Sequence, residues 1–370
     1  MSNGMRWVAP EVRAAQMTGC TVLDGSSAEG PGAIVIGLDQ HRAQITAEWI
    51  DTTSGEVGRA RIAPAHREGV RRFLRRFAGL RVEAALEATT GWRFVVEELR
   101  RIGAVVHLAE PAETAGLRGS KKRAKNDRAD ARHLRELLMV ERLPESWIPP
   151  DHILDLRARV RLRHTLSEQR GEWQQRIQAV LYHHGCPQRR ELMTRDGRAW
   201  LEQQALPETA REQVAVATAM IDAIDRQMAP VEKQLRAYAR RQTGCKALMT
   251  HYGIGELTAV TILAELGDVS RFSSSRQAVR YSGLDVTVSQ SDRRRAPGRI
   301  SRQGPPALRW ALYEAAQAAR RGERSPDREY YLATKERIGG NRACIAIARK
   351  LLKRSYHTLR ELGEEALAPA

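Results

Sequence analysis

The chain has 370 residues, enough for two or three domains with cores of their own. Its 61 Lys and Arg against 44 Asp and Glu leave a formal charge of +17, which favours a polyanionic partner and fast electrostatic association. Aromatics are only 5%, which argues against base stacking on aromatic platforms as the leading binding mode. Four scattered cysteines, Cys20, Cys186, Cys245 and Cys344, form no CxxC pair and read as reduced small hydrophobes rather than a disulfide frame or zinc site. No apolar run approaches the roughly 20 residues of a membrane helix, and the N-terminus lacks a signal-peptide core. The expected compartment is the cytoplasm or nucleoid.

Residues 1–32 are rich in Gly and small residues and read as a flexible leader. Strands follow at Ala33–Leu38, Ala43–Ile50 and Glu56–Ile62, then a helix near His66–Phe77 and a strand ending at Glu87. A helix over Trp92–Arg101, a short strand Ala104–Leu108 and a helix over Asn126–Val140 complete a segment of 33–145. Three adjacent strands followed by strand–helix alternation predict a mixed α/β sheet flanked by helices, an order that suits a ribonuclease-H-like domain. Leu143-Pro-Glu-Ser-Trp-Ile-Pro-Pro150 breaks the pattern and marks a boundary.

From 151 to 240 the pattern is that of long helices forming a coiled-coil region. Leu162, Leu166, Trp173, Ile177 and Val180 line one helix, and Ile221, Ile224, Met228, Val231, Leu235 and Tyr238 line another as a core or dimer seam. Pro230 inside that seam predicts a kink or interruption. Arg157, Arg159, Arg161, Arg163, Arg170 and Arg176 give the first helix a positive surface, for nucleic-acid backbone or for solubility. A mainly helical segment, 245–370, ends in a packing helix over Asn341–Leu362.

Four carboxylates stand out. Asp39 and Glu87 each close an apolar strand, while Asp127 and Asp130, three apart, share one helix face. Converging carboxylates repel unless a cation separates them, and hard, oxygen-seeking Mg2+ or Mn2+ suits such a set. In a basic chain this points to metal-assisted phosphodiester chemistry. The plainer alternative is that each acid caps a helix or pairs with an arginine. Two further features concern phosphate. Gly253 and Gly255 precede an apolar helix, making a hairpin whose backbone N–H groups either hold phosphate or simply turn the chain. Arg293, Arg294, Arg295, Arg299 and Arg302 surround serines, so a hydroxyl there could attack a phosphodiester, or the loop could touch phosphate without chemistry. Lys121, Lys122, Arg123 and Lys125 read as a phosphate-contacting approach to the Asp pair.

Several stretches together resemble one family, the insertion-sequence transposases with a DEDD catalytic domain, understood as bridge-RNA-guided serine recombinases. Ile36-Gly37-Leu38-Asp39, Leu86-Glu87-Ala88-Thr89-Thr90-Gly91 (one Thr more than the family pattern) and Lys125-Asn126-Asp127-Arg128-Ala129-Asp130-Ala131-Arg132 match the acidic motifs. Gly253-Ile254-Gly255, Leu263–Asp268, Arg271-Phe272, Arg276-Gln277, Tyr281–Leu284 and Arg309–Tyr313 are similar to the second domain. The likeness covers about 33–142 and 245–335, with the helical middle matched only in character.

The resemblance implies a RuvC-like domain, a coiled-coil region and a helical transposase domain containing a helix-hairpin-helix-like element. It implies divalent metal on Asp39, Glu87, Asp127 and Asp130, and Ser291 as the nucleophile, counted from Gly283-Leu284, with Ser289 as the fallback. The family serine is followed by Gly, whereas Ser291 precedes Asp292 and three arginines. Expected partners are donor and target DNA, a structured non-coding bridge RNA, and further copies of the chain as a dimer or tetramer. A metal-dependent nuclease or junction resolvase using water, and a non-enzymatic nucleic-acid-binding regulator, are the rival readings.

Overall fold

Strand β1 (Ala33–Gln40) alternates its apolar residues between two faces, as a period of two demands. Ile34, Ile36 and Leu38 enter one core, while Val35 enters another on the opposite side of the sheet. The computed structural model describes residues 33–117, 127–286, 290–291, 294–295 and 298–370. The leader 1–32, Lys121, Lys122, Arg123, Lys125, Ser289 and Arg293 lie outside the described residues, and the description of Ser291, Arg294 and Arg295 is of backbone only. Two compact units divide between Ile148 and Pro149.

In the first unit β1, β2 (Ile45–Asp51) and β3 (Val57–Ile62) form an antiparallel meander. Helix α1 (Arg67–Leu74) leads to β4 (Arg81–Glu87), parallel to β1, and α2 (Trp92–Arg101) leads to β5 (Val105–Ala109), parallel to β4. After α3 (Pro111–Gly116) and α4 (Asp127–Met139), β6 (Glu145–Ser146) pairs antiparallel with β5. The six-stranded order is β3-β2-β1-β4-β5-β6. This is the mixed α/β sheet the pattern predicted, and it is consistent with a ribonuclease-H-like domain. Val70, Phe73, Val95 and Leu99 cover one face beside Ile36 and Leu86. Leu134 and Leu138 of α4 cover the other beside Val35, Ala85 and Ala109. Each such leucine contributes about 1.5–3 kcal/mol through burial. Helix α3 falls in a stretch for which the pattern predicted no element, and β6 in the stretch read as a boundary. Two residues of β6 are too few to show a period.

The second unit is mostly helical: α5 (Asp151–His183), α6 (Arg195–Glu202), α7 (Glu208–Arg241), α8 (Thr243–Leu248), α9 (Glu256–Leu266), α10 (Ser275–Ser282), α11 (Pro306–Arg321), α12 (Arg328–Ile338) and α13 (Gly340–Leu362). A short ladder, β7 (Gln290–Ser291) with β8 (Arg294–Arg295), lies between α10 and α11. Every residue of α9 from Ala259 to Leu266 is buried, as expected of a helix apolar on all sides.

Helices α5 and α7 run antiparallel, because Arg163 meets Glu232 while Arg170 meets Asp225. Three expectations change here. Ile177, Leu181 and Ile221 do pack together inside the chain, but Leu162 is half-exposed, since the middle of this contact is ionic rather than leucine-lined. The interruption expected at Pro230 does not occur, and α7 is one helix from Glu208 to Arg241. The missing bond to Arg226 is one loss within nine turns held by packing on α5. Four of the six arginines of α5 are engaged within the chain: Arg161 grips the buried Glu265 with two bonds of 2.8 Å, Arg157 donates to the carbonyls of Ala264 and Glu265 at the end of α9, and Arg163 and Arg170 bond Glu232 and Asp225. Those four tie helices together, while Arg159 and Arg176 stay exposed on the positive surface that was expected. Among the described residues, no helix is long and apolar enough to cross a membrane.

Candidate functional site

The last β1–β4 pair is Leu38 with Leu86, so Asp39 and Glu87 follow side by side at the carboxyl edge of two parallel strands. Alternation points both toward the face that α4 covers, since Val35 and Ala85 face it. On α4, Asp127 sits one helical step before Ala131, Leu134 and Leu138, whose stripe lies on the sheet. That stripe therefore runs off the sheet edge into carboxylates. Close approach requires Gly37: a Cβ there would lie 1.9 Å from the Ala131 carbonyl oxygen and 2.8 Å from the Arg135 nitrogen.

Asp39 is buried, 8% exposed, and its Oδ2 lies 3.2 Å from His41 Nε2. The same nitrogen lies 3.7 Å from Asp127 Oδ1, and Gln44 donates to Asp127 Oδ2 at 2.8 Å. Ligand atoms of Asp39, His41 and Asp127 all fall within 4.8 Å of one another. Burial pushes the Asp39 carboxyl above its ordinary 3.8, His41 pulls it down, and Asp130 and Asp127 push it up again. Glu87 and Asp130 share with Asp39 a cavity of about 640 Å³. They stand outside the tight trio, so the quartet is gathered at one place but not equidistant.

The serine segment is a small hairpin. Ser291 pairs with Arg294 and Gln290 with Arg295, and a bridge from Val286 to Ile300 closes its base. Below that base Ser301 bonds Asp285 through backbone and hydroxyl, and the Arg302 N–H donates to the Gly283 carbonyl at 3.1 Å. Arg302 holds a left-handed backbone, φ 56°. Arg299 and Arg302 are both exposed. Elsewhere, Gly253 (φ 89°) sits where a Cβ would meet the Ala315 carbonyl at 2.4 Å, and Gly255 caps α9 with open space around it.

Residues 36–185 match the family model of the IS110-type DEDD transposase, and residues 245–332 match the transposase IS116/IS110/IS902 family. The two matches account for well over half of the chain. It belongs to the IS110 family of transposases. Proteins of this kind are enzymes that cut and rejoin DNA. The chain is 33% identical over 129 residues to the transposase for insertion sequence element IS1111A of Coxiella burnetii, covering 34% of this chain and 35% of that protein. It is 25% identical over 296 residues to a protein described as a family 20 transposase of Pseudomonas aeruginosa, covering 76% and 83%. It thus spans about a third of the first relative and most of the second.

In this IS110-family chain the acidic corner suits a divalent cation. Its donors are carboxylate oxygens with one imidazole, and Gln40 Oε1 and Thr89 Oγ1, both lining the same cavity, are buried without a hydrogen-bond partner. Sequence reasoning missed His41. Its signal was an Asp-x-His at the end of an apolar strand, legible only once the β1–β2 turn folds back. It also missed Glu48, 1% exposed on β2, which Arg59, Arg132 and Arg135 surround at 2.6, 3.0 and 3.2 Å. Because Arg132 and Arg135 belong to α4, Glu48 fastens the helix that carries Asp127 and Asp130.

Proposed function

We propose that this chain is a site-specific DNA recombinase that moves its own insertion sequence, using Ser291 as nucleophile and the Asp39, Glu87, Asp127 and Asp130 cluster as a site for Mg2+ or Mn2+. The observation that carries this reading is the convergence of Asp39 with Asp127, and of Asp39 with Glu87 and Asp130, at the carboxyl edge of a parallel strand pair. Open sheets commonly bind ligands at that edge.

A bound divalent cation would offset charge building on the transferring phosphate. Asp39 and Asp127 would hold it with the His41 imidazole, Glu87 and Asp130 would add carboxylate oxygens from the same cavity, and Gln44 would fix Asp127 through its 2.8 Å bond. At the hairpin, the Ser291 oxygen forms a bond to phosphorus as one P–O ester bond of the strand breaks. The serine proton leaves and the departing strand oxygen takes one up. Attack by a second strand's hydroxyl reverses the step, rejoining DNA without net hydrolysis. Ser289 is the fallback nucleophile.

Lys121, Lys122, Arg123, Lys125, Arg293, Arg294, Arg295, Arg299 and Arg302 would contact phosphate, as would the Gly253–Gly255 hairpin. A structured bridge RNA would supply sequence by pairing, while arginines read backbone. Serine and acids would meet between copies in a dimer or tetramer, and the protein would work in the cytoplasm at the nucleoid.

The test is a labelled DNA incubated with protein and RNA. A protein–DNA adduct that disappears in Ser291→Ala is expected, and its persistence moves the nucleophile elsewhere. Free ends without a linked protein would favour the metal-dependent nuclease or junction resolvase. That second reading has one observation of its own, because the acidic corner alone could serve an attacking water.

A further inference from the structure

The cavity beside the acids has a second side that carboxylates do not fill. Asp39 and Glu87 turn toward the face covered by α4, so Gln40, the next residue of β1, turns to the opposite face. There it meets Phe94 and Ala65, which line the same cavity and pack on the main core of this unit. Acids thus occupy one side of a space of about 640 Å³, while an amide, a hydroxyl and apolar wall occupy the other. Sites that enclose small organic groups span about 300–1,000 Å³, so the room suffices for one.

The amide is held in one orientation. Gln40 Nε2 donates to the Thr90 carbonyl at 3.4 Å, which fixes Oε1 as the end facing away from it. Gly91, with φ 95°, makes the room: a Cβ there would lie 2.5 Å from Gln40 Nε2. Among the described residues, Gln40 Oε1 is buried with no hydrogen-bond partner, and so is Thr89 Oγ1. Burying an acceptor unpaired is costly, so such an atom calls for a donor. Phosphodiester oxygens and ionised carboxylates only accept, and neither can satisfy it. A nucleobase can. Adenine and cytosine each present an amino group beside an unprotonated ring nitrogen, the complement of a side-chain carboxamide. Thymine, and guanine at its O6, place an acceptor where that amino group would be. Phe94 supplies an apolar face against which a base taken out of its stack can lie.

We propose that this side of the cavity is a nucleobase pocket, in which Gln40 Oε1 accepts from the amino group of an adenine or cytosine next to the attacked phosphate, with Thr89 and Phe94 as its other contacts. This rests on the reading of the acidic corner as a site acting on DNA. It gives the protein itself one position of sequence discrimination, separate from any supplied by RNA.

The experiment measures binding of labelled single-stranded pentanucleotides, uniform dA, dC or dT, by the full-length protein with Mg2+. Backbone charge is the same in all three, so a difference reports the base. The dA or dC probe should bind about fivefold or more tighter than dT, and whichever does names the base. Gln40→Leu keeps the bulk of the side chain and should bring the tighter probe down to the dT level, leaving dT unchanged. Phe94→Ala should weaken all three alike, by about fivefold or more. If Phe94→Ala fails to fold, Gln40→Leu, which gives up only the 3.4 Å bond, still decides the matter. No preference in the parent, or a preference that survives Gln40→Leu, overturns the proposal. So does loss of Mg2+-dependent thermal stabilisation in Gln40→Leu, which would make Gln40 a cation ligand. A preference shown only by ribo-pentanucleotides overturns it too, by assigning the pocket to RNA. No strand cleavage is read, so failure here leaves the Ser291 adduct result standing, and absence of the adduct leaves this preference readable.

Discussion

Two buried acids on neighbouring strands keep opposite company. Glu48 on β2 lies among Arg59, Arg132 and Arg135. Burial would raise its carboxyl, but hydrogen bonds from Arg132 and Arg59 hold it below its ordinary value. Burial first, then Asp130 and Asp127, push the Asp39 carboxyl on β1 up against the pull of His41. A chain with 61 cationic side chains could have neutralised both. It places guanidiniums around acids that hold elements together (Glu48, Glu98, Glu265 and Asp327) and surrounds Asp39 with further carboxylates. A fold accepts such repulsion where a cation from outside relieves it. On the proposed function, the difference separates acids that brace elements from acids that would hold a cation.

The comparison breaks most visibly at Glu48. Glu48→Gln leaves Arg135 buried against a neutral amide and should cost about 3–5 kcal/mol in urea unfolding. Next is Gly37→Ala, which forces α4 off β1 and should cost about 1–3 kcal/mol. Strand transfer should fall further than stability alone explains, because Asp127 and Asp130 move with the helix. Asp39→Asn sharpens the contrast by reversing its sign: removing a repelled charge should leave the unfolding midpoint unchanged or higher while recombination disappears. A midpoint drop as large as that of Glu48→Gln would place Asp39 among the structural acids.

The smallest effect is on pH dependence. Hydrogen bonds from Arg71, opposed by burial and helped by Arg67, take Glu98 from 4.5 to about 2. Its folded value is depressed, so its stabilisation is present above about 4.5 and fades as pH falls toward about 2. Thermal unfolding across that window should be flatter in Glu98→Gln than in the parent chain.

Much of this arrangement was legible because it is periodic. The continuous apolar run Ala33–Leu38 placed a buried strand, and its polar end placed Asp39. The i, i+3 spacing of Asp127 and Asp130 put both on α4. What stayed hidden depends on contacts distant in sequence. His41 reads as a turn residue until Asp127 comes within 3.7 Å across the hairpin. Glu48 reads as a solvated alternate residue until α4 covers it. The carboxylate partners of Arg161, Arg163 and Arg170 on α5 stayed hidden because charge pattern carries no partner, and Glu265 lies about a hundred residues from Arg161. Leu162 looked like seam because spacing alone cannot tell an apolar contact from the ionic one that Arg163 and Glu232 make.

The most direct measurement is thermal unfolding of the full chain with increasing Mg2+ or Mn2+, set beside Asp39→Asn. The parent should gain about 2.7 kcal/mol at a hundredfold excess over its dissociation constant, and the variant should gain little. Equal stabilisation of both, or none in the parent, would contradict a cation site at that strand edge.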